Sequence, residues 1–459
     1  MTSPSTGPRS GEADGAPRGE RFYQGLLDEE TRPVPASLRA TSAAPPHDAA
    51  IPPARYFDPE THRLEVERVW SRVWQMACRE EQIPEVGDSV VYDIADTSLI
   101  VVRTAPGEIR AFHNSCLHRG TQLRNRSGHV TRLRCPYHGF TWNLDGSLRE
   151  IPCAWDFPQI DPATFRLPEA RVGAWGGFVF VNTDPQAGPL EEYLENMPSH
   201  FAQWPLEDRY LTGHVVREMP CNWKVALEAF IEAYHTMTVH PQLLRTAADT
   251  LTEYDVYGAH VSRMITAVGI SSEHLDRELD DVEIVKAMLG SPEADITLEP
   301  GSTARQVLAD RVRASLHRRT GRDYSHITDA EALDGIEYFL FPNFMPWGGY
   351  LTAFAYRFRP NGNDPDSCVI DIMVLEPVPE SGPRPPAAKT RYIGPDESWT
   401  DAPELGVFGR VFNQDGARFE RVQRGLRASV RTSGTLARYQ ESRIRHFHAT
   451  LETYLAQTD

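Results

Sequence analysis

The sequence predicts an α+β protein with two folded domains: a strand-rich domain over about residues 86–185, then a domain over 213–459 that mixes strands with helices. Three observations predict it. From 90 to 114 the chain runs through VVYDI, LIVVR and IRAFHN, short β-branched runs with Pro106-Gly107 turning between the last two. From 213 the strand GHVVREMP leads into a helical stretch over 223–238, and strand patterns return in EYFLFPNFMPW, YLTAFAYRFRP and CVIDIMVLEP. A length of 459 residues, 40% of them hydrophobic, gives each domain enough apolar surface for its own core.

In chain order, residues 1–50 are rich in Pro, Ser, Ala and Gly without a sustained apolar period, and they read as a disordered arm. Asp58-Pro59-Glu60 supplies a helix start, and Val66, Val69, Trp70, Val73 and Trp74 follow at helical spacing. Residues 51–85 therefore read as a helical segment that ends near Pro84 and packs on the second domain. LDG at 144–146 and FVFVN at 178–182 continue the strand-rich domain, and 186–212 read as a linker with a short helix. A charged, helix-prone insertion over about 272–332 has the length of a lid over a site, and the chain closes on a long helix over about 415–456.

A formal net charge of -17 without a basic run argues against nucleic acid and anionic membranes as partners. There is no run of eighteen apolar residues and no secretory signal pattern, so a cytoplasmic protein is expected. Six cysteines are too sparse for a disulfide framework, and Cys78, Cys153, Cys221 and Cys368 read as ordinary packing.

The other two cysteines sit in CLHRG (116–120) and CPYHGFTW (135–142), each cluster offering one Cys and one His from a turn. Thiolate and imidazole bind both zinc and iron strongly, but structural zinc usually recruits CxxC pairs or a helical HxxxH pair. One Cys and one His per turn suits a Rieske [2Fe–2S] centre, with Cys116 and Cys135 on one iron and His118 and His138 on the other. Gly120 and Gly139 follow the ligand turns, where backbone N–H groups must approach sulfur. Phe140 and Trp142 read equally as cluster shield or core.

CLHRG with CPYHGFTW resembles the Rieske signature of the large (alpha) subunits of ring-hydroxylating, non-haem iron oxygenases. Downstream, 222-NWKVALEAFIEAYHTMTVHPQL-243 offers His235 and His240, with Glu228 and Glu232 on the approach. Two histidines and a carboxylate on one face of Fe(II) leave positions open for dioxygen. Residues five apart on a helix point about 140° away from each other, so the helix must end or distort between the two histidines, where Pro241 disfavours helical geometry at His240. Asp415, in VFNQDGARFERVQRGL, supplies the third ligand or caps the final helix.

The resemblance spans about 50–455 through NWK, YHxxxxHP and QDxxxxxxVQRGL in order. It implies a Rieske domain joined to a catalytic domain of helix-grip form, an antiparallel sheet wrapped on a long C-terminal helix. It also implies a [2Fe–2S] cluster, a mononuclear Fe(II), and a homotrimer, with or without a small β subunit. The resemblance further implies that electrons pass between subunits through a carboxylate three residues before the first iron histidine, here Glu232, toward His138 of the adjacent chain. Most aromatic dioxygenases carry Asp at that position; Glu232 resembles oxygenases of quaternary amines such as carnitine. Glu228 either tunes the iron site or is a buried acid paired with Lys224 or Arg245, the second being preferred.

The expected activity is that of a terminal oxygenase fed by an NAD(P)H-dependent flavin reductase, with or without a ferredoxin, since no GxGxxG follows a strand. An aromatic or other hydrophobic substrate is preferred, and a quaternary amine is the alternative. Phe230, Val239, Leu243, Phe339, Phe341, Phe344 and Trp347 are candidate pocket walls. A Rieske electron carrier without oxygenase activity and a zinc-binding scaffold are the rival classes.

Overall fold

The runs VVYDI and LIVVR pair antiparallel, Val90 opposite Val101 and Tyr92 opposite Leu99. They lie toward one end of the larger sheet of the first domain in a computed structural model that describes residues 22–42, 50–352 and 354–457. Ten strands build this domain: β1 (Gln75–Arg79), β2 (Asp88–Ile94), β3 (Thr97–Ala105), β4 (Glu108–His113), β5 (Gly128–His129), β6 (Leu133–Arg134), β7 (Thr141–Trp142), β8 (Leu148–Glu150), β9 (Glu169–Trp175) and β10 (Phe178–Asn182). Seven form one sheet in the order β1-β10-β9-β4-β3-β2-β5, while β6, β7 and β8 form a second, smaller one.

The helical pattern from Asp58 stops earlier than expected. A helix covers Pro59–Glu65 and a single wider turn covers Val66–Trp70, but Gln75–Arg79 is strand β1, with Met76 opposite Phe180. Every residue of β1 is buried. Such a strand shows no alternation, so its apolar run reads as helix continued. Its backbone also meets the second domain, because Arg357 Nη1 donates to the carbonyls of Met76 and Ala77 at 3.0 and 2.6 Å.

The second domain carries β11 (Arg209–Met219), β12 (Ala247–Tyr257), β13 (Val261–Val268), β14 (Gly335–Leu340), β15 (Phe344–Pro346), β16 (Phe354–Asn361), β17 (Asp364–Pro377) and β18 (Thr390–Ile393). They form one sheet, β12-β13-β14-β15-β16-β17-β11-β18, antiparallel except for β11 with β18. Its strands alternate between two buried faces. Phe354 and Tyr356 meet Phe412 of a C-terminal helix, whereas Arg357 reaches the other way to Asp371 and the first domain.

The expected single final helix is two helices, Phe408–Ala428 and Ser442–Leu455. Ser429 leaves helical geometry at ψ 131, at the start of the polar stretch SVRTSG, which has no apolar period to continue it. The insertion between β13 and β14 folds as helices Asp281–Met288, Ala304–Thr320 and Asp329–Leu333, each opened by a capping box. These helices share a core of their own that includes Val285, Leu308, Leu316 and Leu333.

Of the arm expected to be disordered, residues 1–21 and 43–49 lie outside the described residues. Residues 22–42 are folded onto the second domain. Tyr23, Leu26, Leu27 and Leu38 are buried there, Tyr23 Oη donates to Asp334 at 3.0 Å, and Arg263 Nη2 donates to the Ala40 carbonyl at 3.1 Å. Four apolar anchors supply the burial that a disordered segment lacks. No helix of the described residues is long and apolar enough to cross a membrane.

Candidate metal centres

The two Cys/His turns of the first domain share one backbone plan despite their different Cys-to-His spacing. The Gly120 N–H donates to the Cys116 carbonyl at 2.8 Å, and the Gly139 N–H to the Cys135 carbonyl at 3.2 Å. Both glycines have positive φ, 74° and 79°, which L side chains rarely adopt. Each turn aims backbone N–H groups at its own sulfur, from His118 and Arg119 toward Cys116, and from Tyr137 and His138 toward Cys135. Such donors stabilise thiolate charge.

Both thiols are free and buried. The imidazoles of His118 and His138 meet with centroids 4.7 Å apart, and Phe140 stacks on His118 at 4.7 Å, so Phe140 does shield this site while Trp142 is fully buried core. Nδ1 of His118 is buried without a hydrogen-bond partner among the described residues, as a nitrogen reserved for a metal would be. His138 and Tyr137 are exposed at the tip.

The second site lies on the helix-facing side of the second domain's sheet. The expected helix over 223–238 is short: Trp223–Glu228 is helical, 229–235 is irregular, and Thr236–Val239 makes one further turn. His235 is the N-cap of that last turn and His240 its C-cap, with φ -123 and ψ 52. This break lets two side chains five apart converge, with ring centroids at 5.1 Å. Asp415 is not a cap. Its helix starts at Phe408, so Asp415 lies about two turns inside, on the buried face with Phe412 and Phe419.

Asp415 Oδ1 lies 2.8 Å from His240 Nε2 and 3.6 Å from His235 Nε2. Each of the three residues offers one donor atom, and these atoms lie within 4.8 Å of one another. The far nitrogens are occupied: His235 Nδ1 meets Glu232 Oε1 at 2.6 Å, and His240 Nδ1 meets Gln414 Oε1 at 3.0 Å. Because carboxylate and amide oxygens can only accept, both imidazoles keep a proton on Nδ1 and present Nε2 to Asp415, the nitrogen on which a metal would take the place of a proton. Burial lowers the His235 pKa, but hydrogen bonds to Asp415 and Glu232 outweigh it and push the imidazole up to about 10. That is a field that favours a cation. Two neutral imidazoles and one carboxylate suit Fe(II).

Sequence reasoning missed Gln414, although it is the residue beside Asp415 in the QD pair. It also misplaced Glu228, whose partners are Tyr56 Oη at 3.0 Å and His448 Nε2 at 2.7 Å. Lys224 instead binds the buried Glu65 at 2.7 Å.

Beside the triad stands an aromatic wall. Phe230 lies 5.1 Å from Tyr356 and 6.1 Å from Phe412, and Tyr356 lies 6.1 Å from Trp347. Three other expected wall residues are core. Phe339 and Phe341 pack on Phe447, and Phe344 packs on Phe178 of the first domain.

The family Ring hydroxylating alpha subunit (catalytic domain) matches residues 198–457, and the Rieske [2Fe-2S] domain matches 73–161. The glycine betaine monooxygenase oxygenase subunit of Chromohalobacter salexigens is 32% identical over 210 residues, 45% of this chain and 46% of that protein. The chlorobenzene dioxygenase subunit alpha of a Cupriavidus species is 33% identical over 195 residues, 40% and 43% of the two chains. These matches span somewhat under half the length of the curated relatives. A solved quaternary ammonium Rieske monooxygenase shares the fold, with a TM-score of 0.63 at 18% identity over 88% of this chain and 95% of that one. With its catalytic-domain match covering more than half of its length behind a Rieske match, the chain belongs to the ring hydroxylating alpha subunits, whose cofactors are a Rieske [2Fe–2S] cluster and a mononuclear iron.

Proposed function

We propose that the chain is a terminal oxygenase that monooxygenates a quaternary ammonium compound, hydroxylating it or removing a carbon attached to nitrogen. The aromatic wall of Phe230, Tyr356, Phe412 and Trp347 beside Asp415 carries this reading. Aromatic faces attract a methylated ammonium, by about 2 kcal/mol when desolvated. A glycine betaine monooxygenase subunit and a quaternary ammonium monooxygenase structure among the similar proteins support it. The sequence alone ranks an aromatic substrate first; these likenesses reverse that order. Ring dihydroxylation stays as the second reading, favoured by the same wall and by the similarity to a chlorobenzene dioxygenase subunit.

In this reading Cys116 and Cys135 hold one iron of the cluster, His118 and His138 the other, and His235, His240 and Asp415 hold the mononuclear iron. Bound there, that iron supplies the activation of dioxygen, using electrons stored by the cluster. The protein's own part is positional. Glu232 and Gln414 keep a proton on Nδ1 of each histidine, and the aromatic wall excludes water and orients the methylated nitrogen. Electrons arrive from an NAD(P)H-dependent flavin reductase, with or without a ferredoxin. Glu232 bridges to His138 of a second copy in a homotrimer, with or without a small β subunit, and the exposure of His138 and Tyr137 supports such a contact.

The test is to incubate the metal-loaded chain with a promiscuous reductase, NADH and a panel of trimethylamines and arenes, and to read the products by mass spectrometry. Demethylated or hydroxylated amines are expected. Products from arenes alone would sink the proposal.

A further inference from the structure

Residues 22–42 cross the β12 edge of the second domain's sheet as a strap, and a buried cluster of charge lies beneath them. Glu253 and Asp255 are two apart on β12, so their side chains share one face. Arg263 of β13 lies directly opposite Asp255 and donates to it from Nε at 3.1 Å and from Nη2 at 2.5 Å. The same Nη2 reaches Glu253 at 3.2 Å. None of the three side chains is more than 12% exposed, so two carboxyls share one buried guanidinium. They also hydrogen-bond each other, which requires a proton between them.

The strap closes over this pair. Gln24 Nε2 donates to both Glu253 oxygens, at 3.1 and 3.0 Å, and the Ser42 N–H donates to Asp255 at 2.7 Å. Arg263 donates onward to the carbonyls of Ser37 and Ala40. The strap also holds the insertion, because Glu30 accepts from the N–H groups of Asp329 and Ala330, at 2.9 and 2.7 Å, where helix Asp329–Leu333 begins. One segment thus ties the insertion to the edge of the sheet.

We propose that the Glu253–Asp255 pair is a proton-operated latch: the strap stays docked while the pair holds its proton and lifts when the proton is lost, releasing the insertion from the sheet. With the proton in place, one negative charge faces one guanidinium. Without it, two buried carboxylates repel each other and need the water that the strap excludes.

Burial, and then the charge of Asp255, raise Glu253 from 4.5 to about 7. The docked strap therefore holds this proton more tightly than the lifted one, so docking is strongest below about pH 4.5 and weakens as pH rises through about 7. Burial keeps the surrounding phenols of Tyr23, Tyr257, Tyr338 and Tyr439 above their ordinary range and lowers His200 to about 4. Arg443, whose charge also acts on Asp255, is paired with Glu337 at 2.9 Å, and Arg39 of the strap with Asp28 at 2.8 Å. Glu30 and Glu337 are themselves raised by burial, so the test must separate them from the pair.

Hydrogen–deuterium exchange of the metal-loaded full chain at pH 6 and pH 8 does so, with labelling times scaled for the intrinsic rise of exchange with pH. Protection of the amides over 22–42 is expected to fall about tenfold at pH 8, and that of 329–334 with it, while β3 of the first domain keeps its protection. Glu253→Gln stays neutral and leaves Glu30 and Glu337 in place, and it is expected to hold the strap down at both pH values. Its thermal melt and the cluster's visible absorption show that it is folded, and the parent's own comparison needs no variant. Equal protection of 22–42 at the two pH values in the parent, or the same fall in Glu253→Gln, overturns the latch.

Discussion

Gln414 Oε1 lies 3.0 Å from Nδ1 of His240, on the side of the imidazole opposite its 2.8 Å approach to Asp415. Adjacent residues on one helix therefore fix the two ends of one ring. Gln414 in turn is held by Gln242, whose Nε2 donates to the same Oε1 at 2.7 Å. Gln414→Ala frees His240 to carry its proton on Nε2, where it blocks metal binding. Iron affinity at this site is expected to fall 10- to 100-fold, measured by chelator competition, with the cluster's absorption unchanged. Unchanged iron affinity would show that the helix alone orients His240.

Glu232 accepts from both the backbone N–H and Nδ1 of His235, at 3.0 and 2.6 Å. Glu232→Gln keeps the volume and removes the charge. Both metals are expected to stay bound while single-turnover product formation slows by about 100-fold. A variant that loses iron but turns over normally per iron bound would limit Glu232 to holding the histidine.

How much of this was legible in the sequence follows from how local each feature is. The Cys/His turns were readable because chemistry and backbone conformation sit within five residues, glycine included. His235 and His240 were readable as a pair because Pro241 forces the chain out of helix, although the helix stops as early as Glu228. Glu228 was misread because its partner His448 is 220 residues away, and no local pattern encodes that contact. β1 was misread because a strand buried on both faces shows no alternation, and Trp70 and Trp74 before it follow helical spacing. The folded segment 22–42 was hidden by the low-complexity sequence around it.

Glu228 is held by Tyr56 and His448, of which the first is buried and the second is 1% exposed. Glu228→Ala removes the acceptor they share and leaves Tyr56 Oη and His448 Nε2 only their 3.3 Å contact with each other. It is expected to cost about 1–3 kcal/mol of stability, read as a lower denaturation midpoint, with metal content retained. Loss of the mononuclear iron at unchanged stability would move Glu228 into the iron site.

Burial raises Glu337 from 4.5 to about 7, against the pull of Arg443. The folded protein therefore holds this proton more tightly than the unfolded chain does. That contribution is complete below about pH 4.5 and is lost as pH rises through about 7. Glu337→Gln stays neutral throughout, so its stability relative to the parent improves across this window by roughly 3 kcal/mol. Denaturant titrations at pH 5 and pH 8 measure the difference. A gap that does not change with pH would mean that Glu337 is ionised at both.

The account depends on two separate iron stations in one chain, and nitric oxide tests this most directly. Added to the dithionite-reduced holoenzyme, it is expected to give a high-spin ferrous nitrosyl EPR signal beside that of the reduced cluster. Asp415→Ala is expected to lose the nitrosyl signal and keep the cluster, and Cys116→Ser to do the reverse. A nitrosyl signal that survives Asp415→Ala undiminished would contradict the assignment of iron to His235, His240 and Asp415.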